Sequence, residues 1–422
     1  MQNLPTLFEL VQKLKRENEE ACRQNAWSNS PYLSMIASIP RWSYPLKDFV
    51  NDADDDKFIV VQTQKKRHTL KPNLARCHFL YRGQYKQFSH ILSSFSRDDL
   101  PDKNGKLNPQ RSRDKHLIAN LKAEEFMQLL RLHPLFMMLD RGIRLEPERK
   151  PVFLNMNYYG LAQHYGFKTG LVDFTTDLDV AAFFACTENV GFDKYRPITD
   201  TKECPTGVIY VHPVNPKYTF KCLPFSTIGL QLFPRSGAQK GILFNEGRHP
   251  IPLDNLVQVF PFRHDAVVSL HFFNMMKNGM KLFPTDSISR YAQQILESNE
   301  VSGCVFAENL YSNQDDFDKN IESLQREGIH VNWRRKPHFT LEMLDELEQD
   351  LRNGLWEHFC KQICFADSEK GSKMLDSLLK LPNNSSYAHY FKKEEYPRIA
   401  CYDDDLHERA VRNSLSLYGE AL

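Results

Sequence analysis

The pattern of apolar and polar residues predicts a helix at the start of the chain. Its apolar positions recur at i, i+3, i+4 and i+7, which places them on one face of a helix. These positions are Leu7, Leu10, Val11 and Leu14. Thr6 and Glu9 have the spacing of a capping box, so we expect the helix to begin here.

Short apolar runs then alternate with helical patterns through the middle of the chain. Runs at 58–61, 78–81 and 207–211 are typical of strands, and this alternation predicts a mixed α/β or α+β domain. The basic run at 65–68 has no interleaved aromatic residue, so we interpret it as a solvated loop. The polar stretch at 98–114 shows no period and is interpreted as a mobile excursion.

After Asp286 the pattern becomes mainly helical. A first apolar stripe consists of Ile288, Tyr291, Ala292 and Ile295. A second and longer stripe consists of Leu341, Leu344, Leu347, Leu351 and Leu355. Gly354 is a weak point near the end of the second stripe, since glycine disfavours a helix. We therefore predict a helical C-terminal region.

Charge and composition narrow the classes of function. The 422 residues contain 54 Lys and Arg against 53 Asp and Glu, a net charge of +1. Such a balance gives no general attraction to nucleic acid or to an anionic membrane. The sequence shows neither a leader-like segment nor an apolar window of membrane-spanning length, and its nine cysteines are scattered. These features predict a cytoplasmic protein without bulk nucleic-acid or membrane binding.

Several common kinds of site are excluded by inspection. The sequence has no Walker loop, no GxSxG elbow, no HExxH motif and no GxGxxG fingerprint. Cys360 and Cys364 stand one helical turn apart, but no second pair lies near them. We interpret them as buried thiols without a ligand, and we expect no metal.

The first motif that suggests chemistry is Tyr81-Arg82-Gly83-Gln84, at the end of an apolar run. An arginine beside a residue without a side chain can place its planar fork against a phosphate or carboxylate. A structural ion pair would explain Arg82 equally well. Arg97 follows a serine-rich turn, where it either extends the same anion site or helps to cap a helix.

The second motif spans residues 161–185. Its polar members stand where a predicted strand passes into an apolar helix, a junction that exposes backbone N–H groups and hydroxyls to a ligand. These residues are Asp173, Thr175 and Thr176, with Gln163 and His164 on the approach to them. The alternative is that the threonines only cap the helix, where Thr176 and Asp179 have capping-box spacing, and that His164 is a structural hydrogen-bonding residue.

The third motif, residues 234–244, predicts a turn that carries Gln239 before an apolar strand. An amide can bind a sugar hydroxyl but cannot act as a general base. Glu246 is the nearest carboxylate, and we interpret it as an inert surface acid.

Together these motifs resemble the FRG domain, a family named for a Phe/Tyr-Arg-Gly signature. The signature is Tyr81-Arg82-Gly83, and the other similar segments are the serine-rich turn that ends at Arg97, 161–166, 171–175, 238–241 and 282–284. The resemblance covers about residues 77 to 287. We therefore predict an N-terminal extension over 1–75, an FRG domain over 76–287 and a mainly helical C-terminal region over 288–422.

The order of the motifs is also similar to that of ADP-ribosyltransferases. This similarity implies an α+β fold with a mixed sheet core and NAD as the candidate substrate. Arg82 would hold the NAD phosphates or ribose, Thr175 and Thr176 would frame the nicotinamide pocket, and Gln239 would occupy the position of the acid. The implied catalytic set is Arg82, Asp173, Thr175 and Gln239. The implied nucleotide-binding set is Tyr81, Arg82, Gly83, Gln84, Arg97, His164 and Thr176.

Two hypotheses of function follow. The first is nucleotide binding, with ADP-ribosyl transfer or cleavage of the NAD glycosidic bond. In it Gln239 departs from the family pattern, because a neutral amide stabilises developing positive charge less well than a carboxylate. The second is a module without enzymatic activity that senses a ligand or a protein partner, with the C-terminal helices as the partner surface, in a bacterial defence or toxin system. A nuclease is a weaker third option, since no acids have metal-site spacing.

Overall fold

The fold is taken from a computed structural model. It describes residues 4–24, 58–62, 67–72, 78–101, 105–142, 153–154, 156–214, 223–228, 232–248, 251–309, 314–335, 337, 339–361 and 380. The described strands are β1 (Phe58–Gln62), β2 (Arg67–Pro72), β3 (Phe79–Gln84), β4 (Phe153–Leu154), β5 (Leu171–Thr175), β6 (Thr187–Gly191), β7 (Lys194–Pro197), β8 (Thr206–Pro213), β9 (Phe225–Thr227), β10 (Gly241–Asn245), β11 (Gln258–Arg263), β12 (Glu300–Ser302) and β13 (His330–Asn332). The described α-helices are α1 (Leu7–Gln24), α2 (Pro109–Leu132), α3 (Pro134–Arg141), α4 (Tyr158–His164), α5 (Leu178–Ala185), α6 (Pro234–Gln239), α7 (Ala266–Met275), α8 (Ser287–Glu297), α9 (Gly303–Asn309), α10 (Gln314–Arg326), α11 (Leu341–Arg352) and α12 (Leu355–Lys361).

A six-stranded sheet in the order β11-β8-β3-β5-β10-β9 forms the centre of the fold. Its neighbouring strands pair antiparallel. Parallel pairs lie in two smaller sheets, between β2 and β4 and between β12 and β13. Over the described chain the strand orientations are therefore mixed, and the α+β prediction is confirmed.

The central sheet separates two apolar cores. Side chains alternate between the two faces of a strand, so on β3 Leu80 enters one core and Tyr81 the other. Leu80 packs in the core formed with α2, α3, α4, α8, α11 and α12. Tyr81 packs in the core formed with α1, α5 and α7. The polar residues at the end of β3, Arg82 and Gln84, belong to neither core.

The predicted N-terminal helix is confirmed as α1. Its four apolar positions are buried in the second core. The capping box is also present: the Thr6 N–H donates to Glu9 Oε2 at 2.7 Å, and the Glu9 N–H donates to Thr6 Oγ1 at 3.3 Å. The strands predicted at 58–61, 78–81 and 207–211 are confirmed as β1, β3 and β8.

Two loop predictions are wrong in part. Arg67 and His68 belong to β2, while Lys65 and Lys66 lie outside the described residues. In the polar stretch at 98–114, α2 already begins at Pro109, and the Asn108 side chain caps it by accepting from Arg111 N at 3.1 Å. The first turn of α2 is exposed, so it carries no apolar period that would reveal a helix.

The C-terminal stripes form helices that pack on the rest of the chain. The stripe at 288–295 is buried on α8. The longer stripe divides between α11 and α12, because Gly354 has a φ of +90° and ends the first helix. Leu121 of α2 joins a separate small core with residues of β12, α9 and α10. Within the described residues, no helix has the length and apolar character needed to cross a membrane.

Candidate functional site

A cleft of about 470 Å³ opens beside the ends of β3 and β5. Its volume lies in the range of small-molecule sites. It is lined by Tyr81, Arg82, Gly83, Gln84, Tyr85, Phe88, Arg97, Gln163, His164, Gly166, Asp173, Phe174, Thr175, Val180, Ala181, Phe184, Thr187, Glu188, Asn189, Asp193, Tyr195, Gln239, Gly241 and Phe283. All four residues of the predicted catalytic set therefore line one cleft. Of the predicted nucleotide-binding set, Thr176 alone is not among the lining residues.

Gly83 brings α5 against the strand that carries Arg82. A Cβ built at Gly83 would lie 1.8 Å from the carbonyl oxygen of Ala181 and 2.7 Å from the nitrogen of Ala185. A side chain does not fit in that space, so α5 packs directly on the β3 backbone. The glycine of the signature thus lines the cleft beside Arg82.

Arg82 supplies positive charge to the cleft. Its Nη1 donates to the backbone carbonyl of Asp173 at 2.8 Å, which fixes the guanidinium across the β3–β5 pair. Burial lowers the pKa of Arg82, the charge of Asp173 opposes that shift, and the positive charge of Arg97 adds to it. Two arginines in one cleft repel each other, and an anion between them would relieve that repulsion.

Asp173 is the acidic residue at the centre of the polar cluster. Its Oδ2 accepts from Gln163 Nε2 at 2.7 Å, and its Oδ1 lies 3.7 Å from His164 Nε2. The Asp173 side chain keeps 43% exposure, whereas that of His164 keeps 2%. Burial lowers the pKa of His164, and the positive charge of Arg235 lowers it further. The negative charge of Asp173 opposes both effects. The imidazole is therefore mainly neutral near pH 7.

Thr175 and Gln239 are hydrogen-bonded to each other, so the proton of the threonine hydroxyl is not available to a ligand. Thr175 Oγ1 donates to the backbone oxygen of Gln239 at 2.7 Å and accepts from the N–H of Asp177 at 3.0 Å. The Gln239 amide donates from Nε2 to the carbonyl of Leu282 at 3.0 Å. The threonine side chain thus has a structural role here, and the glutamine amide is partly committed to the backbone.

Two local predictions at this junction are wrong. The N-cap of α5 is Asp177, whose side chain accepts from Asp179 N at 2.9 Å, so the capping box from Thr176 to Asp179 does not form. Gln239 is the last residue of α6 rather than part of a turn, and Lys240 follows it in the left-handed region at a φ of +48°. A helix of six residues is too short to show an apolar period.

Glu246 is not among the residues that line the cleft. Its Oε2 accepts from the N–H of Ser93 and from Ser96 Oγ, each at 2.9 Å. It therefore holds the serine-rich turn that leads to Arg97. Arg97 Nε donates to the Ser93 carbonyl at 3.3 Å, and the residue lines the cleft.

An aromatic wall completes the cleft, and the sequence motifs did not single it out. Tyr195 and Phe283 stack with ring centres 5.0 Å apart and an interplanar angle of 18°. Phe184 meets Tyr195 edge to face at 5.7 Å. Phe184 stands inside the second motif and Phe283 inside the family-like segment 282–284, but only the fold brings them to Tyr195 of the β6–β7 hairpin. A planar ring can stack against such a wall.

Buried polar atoms without a hydrogen-bond partner concentrate in this cleft. Among the described residues they include Arg82 Nε, Gln84 Oε1, Asp173 Oδ1 and both ring nitrogens of His164. Buried polar atoms in native proteins nearly always have a partner, so these atoms need a water, an ion or a polar ligand in the cleft to satisfy them. Within the same part of the chain, no group of three or more His, Cys, Asp or Glu could hold a metal ion. Cys360 is a buried free thiol, and Cys364 lies outside the described residues.

Comparison with known proteins supports the family resemblance. A family model described as the FRG domain matches residues 77–194, which include β3, β5, α5 and β6. No curated protein and no solved structure gives a significant match, so the likeness to ADP-ribosyltransferases rests on the order of the motifs alone. The predicted domain end at residue 287 stays a prediction. The match and the motifs agree on the strand and helix that build the cleft, so residues 77–194 are similar to the FRG domain.

Proposed function

We propose that the cleft binds a nucleotide, with NAD as the first candidate. The observation that carries this proposal is the concentration of orphaned polar atoms in one cleft that also holds two arginines and an aromatic wall. A nucleotide offers the complementary groups, namely a planar base, a sugar with hydroxyls and phosphate oxygens.

Each part of the cleft suits one part of such a ligand. Arg82 Nε and the guanidinium of Arg97 can donate to phosphate oxygens. The wall formed by Phe184, Tyr195 and Phe283 can stack on a base or a nicotinamide ring. Gln84 Oε1 and Asp173 are acceptors for ribose hydroxyls. Because the chain has a net charge of +1, the attraction must come from these few residues.

The proposal is tested by calorimetric titration of the full chain with NAD, ADP-ribose, AMP and nicotinamide. Arg82→Ala should weaken binding of the phosphate-bearing ligands by about tenfold or more, since a hydrogen bond to a charged group contributes roughly 1.5–3 kcal/mol. Arg352→Ala is the matched control, because Arg352 is exposed on α11 and pairs with Glu348. It should bind as the wild type does. An absence of binding by all four ligands, or equal affinities in Arg82→Ala and wild type, would contradict the proposal.

Turnover of NAD, by ADP-ribosyl transfer or glycosidic cleavage, is the enzymatic form of this function. A second candidate is ligand sensing without turnover, as in a defence or toxin system. It is favoured by Gln239, because the amide that stands in place of an acid donates to the Leu282 carbonyl. Release of nicotinamide from bound NAD separates the two, since sensing alone leaves NAD intact.

A further inference from the structure

The carboxylate of Asp173 lies between the side chains of Gln163 and His164, the last two residues of α4. Gln163 Nε2 donates to Asp173 Oδ2 at 2.7 Å, and the hydroxyl of Thr169 donates to Gln163 Oε1. The threonine therefore fixes which end of the amide faces the carboxylate. Because Gln163 presents its N–H to the acid, the acid keeps its orientation in the cleft.

His164 faces the other oxygen of the same carboxylate. Its Nε2 lies 3.7 Å from Asp173 Oδ1, and among the described residues neither this oxygen nor either ring nitrogen has a hydrogen-bond partner. A Cβ built at Gly241 would lie 2.7 Å from both Cε1 and Nε2 of the ring, so β10 packs against the imidazole and restricts it. Catalytic hydrogen bonds are often long before a substrate binds, and this separation is within reach of closure.

Of the three acids that line the cleft among the described residues, Asp173 is the one whose carboxylate is not paired with an arginine. Asp193 also lines the cleft, but both of its oxygens contact the buried guanidinium of Arg235. Glu188 pairs with Arg196 at 2.5 Å. Gln239 is an amide and accepts no proton at neutral pH.

We propose that Asp173 is the general base of this cleft and that His164 and Gln163 are its positioning residues, with a hydroxyl group as acceptor and water as the first candidate. This inference rests on the proposed binding of NAD. In the step, the bond between ribose C1′ and the nicotinamide nitrogen breaks, and its electron pair goes to nicotinamide. The oxygen of water forms the new bond to C1′, and Asp173 takes the proton that water loses. NAD and water thus give ADP-ribose, nicotinamide and a proton, which Asp173 then releases to solvent.

The experiment measures the NAD affinity by calorimetry and the rate of nicotinamide release by chromatography, on the full chain. Asp173→Asn keeps the shape of the side chain but cannot take up the proton. It should lower kcat by about 100-fold or more, the usual size of a general-base contribution, while the Kd for NAD changes far less. Added methanol should compete with water in the wild type and yield methyl ADP-ribose, because its hydroxyl can lose a proton to the same base.

His164 is tested by a pair of variants. His164→Leu removes the ring nitrogen that faces Asp173 and should lower kcat by about tenfold with little change in KM, while His164→Gln restores a group that can donate and should recover part of the rate. A purely structural role would move KM and thermal stability together with kcat, and would not distinguish the two variants. Circular dichroism checks that each variant is folded. Asp345→Asn and His330→Gln, both exposed residues on α11 and β13, are the matched controls and should match the wild type.

The outcomes separate this inference from the proposed function. If NAD does not bind, the proposed function itself fails. If NAD binds and no nicotinamide is released, or if Asp173→Asn releases it at the wild-type rate, the assignment of a general base is overturned. Equal kcat values in His164→Leu and wild type would overturn the positioning role of His164.

Discussion

Gly83 shows how much of this site depends on a single residue without a side chain. The carbonyl oxygen of Ala181 occupies the place where a Cβ would stand, and α5 packs on the strand at that point. Closely packed interiors absorb an extra carbon only by shifting their neighbours. Because the obstructing atoms belong to the helix backbone, a larger residue must displace the whole helix.

We therefore predict that Gly83→Ala lowers the free energy of unfolding by about 2 kcal/mol or more, the usual cost of overpacking a core. Urea denaturation followed by circular dichroism measures the change. Gly170→Ala is the matched control, since a Cβ at Gly170 meets no described atom within 4 Å. It should change stability by less than about 0.5 kcal/mol. Equal stability of the two variants would show that α5 moves freely away from β3.

At the scale of elements, Arg235 connects the cleft wall to the C-terminal helices. Its Nη1 and Nη2 contact the two carboxylate oxygens of Asp193 at 3.0 and 2.5 Å, and Nη2 donates to Ser289 on α8 at 3.0 Å. The guanidinium carbon also lies 4.4 Å from the centre of the Tyr165 ring. Burial raises the pKa of Asp193, and the charge of Arg235 opposes that shift. The arginine therefore opposes the rise in the pKa of this half-buried carboxylate while it joins α6, the β6–β7 turn and α8.

We expect Arg235→Met to lower the free energy of unfolding by about 3 kcal/mol, because it leaves the carboxylate of Asp193 in place without its buried partner. Arg352→Met, at an exposed pair with Glu348 on one helix, should lower it by less than about 0.5 kcal/mol. Thermal and urea denaturation give both values. Adding Asp193→Asn to Arg235→Met should recover part of the loss, and a double variant no more stable than the single one would contradict this account.

At the scale of the whole molecule, the cleft lies on a central sheet between two cores, and the positive and negative charges of the chain nearly balance. The net charge of +1 provides no long-range field toward a polyanion, although two arginines line the cleft. Screening at physiological salt limits such local charges to about 8 Å. Attraction of a phosphate is thus confined to the cleft.

This argument predicts that the chain binds duplex DNA no more tightly than about 100 μM at roughly 150 mM salt, the weak end of non-specific binding. Fluorescence anisotropy with a labelled duplex measures the affinity. Titration with NAD in the same buffer serves as the control for an active preparation. Saturation of the DNA signal at micromolar protein would mean that a basic surface exists beyond the arginines of the cleft.

The sequence by itself determined the elements whose signals are local. A helix that buries one face must repeat its apolar residues at helical spacing, which predicted α1 and α8, and apolar runs predicted β1, β3 and β8. The sequence also pointed to the motif around Arg82 and the cluster around Asp173, and residues of both line one cleft. The α+β class was predicted from the sequence as well. Segments with exposed or very short helices gave no such signal, so the start of α2 and the helix that ends at Gln239 were missed.

Only the tertiary structure decided what these residues do for one another. Pairing of β3 with β5 and β8 joins segments far apart in sequence, and no local pattern specifies such pairs. Pairing of β3 with β5 places Arg82 on the carbonyl of Asp173, and pairing of β5 with β10 brings Thr175 to Gln239. The position of α4 leaves Asp173 facing His164. Packing of α5 and of the segment around Phe283 against the β6–β7 hairpin brings Phe184, Tyr195 and Phe283 into one wall. Apolar periodicity shows which face of a helix or strand is buried. A site depends on which faces meet, and the packing of the whole chain decides which faces those are.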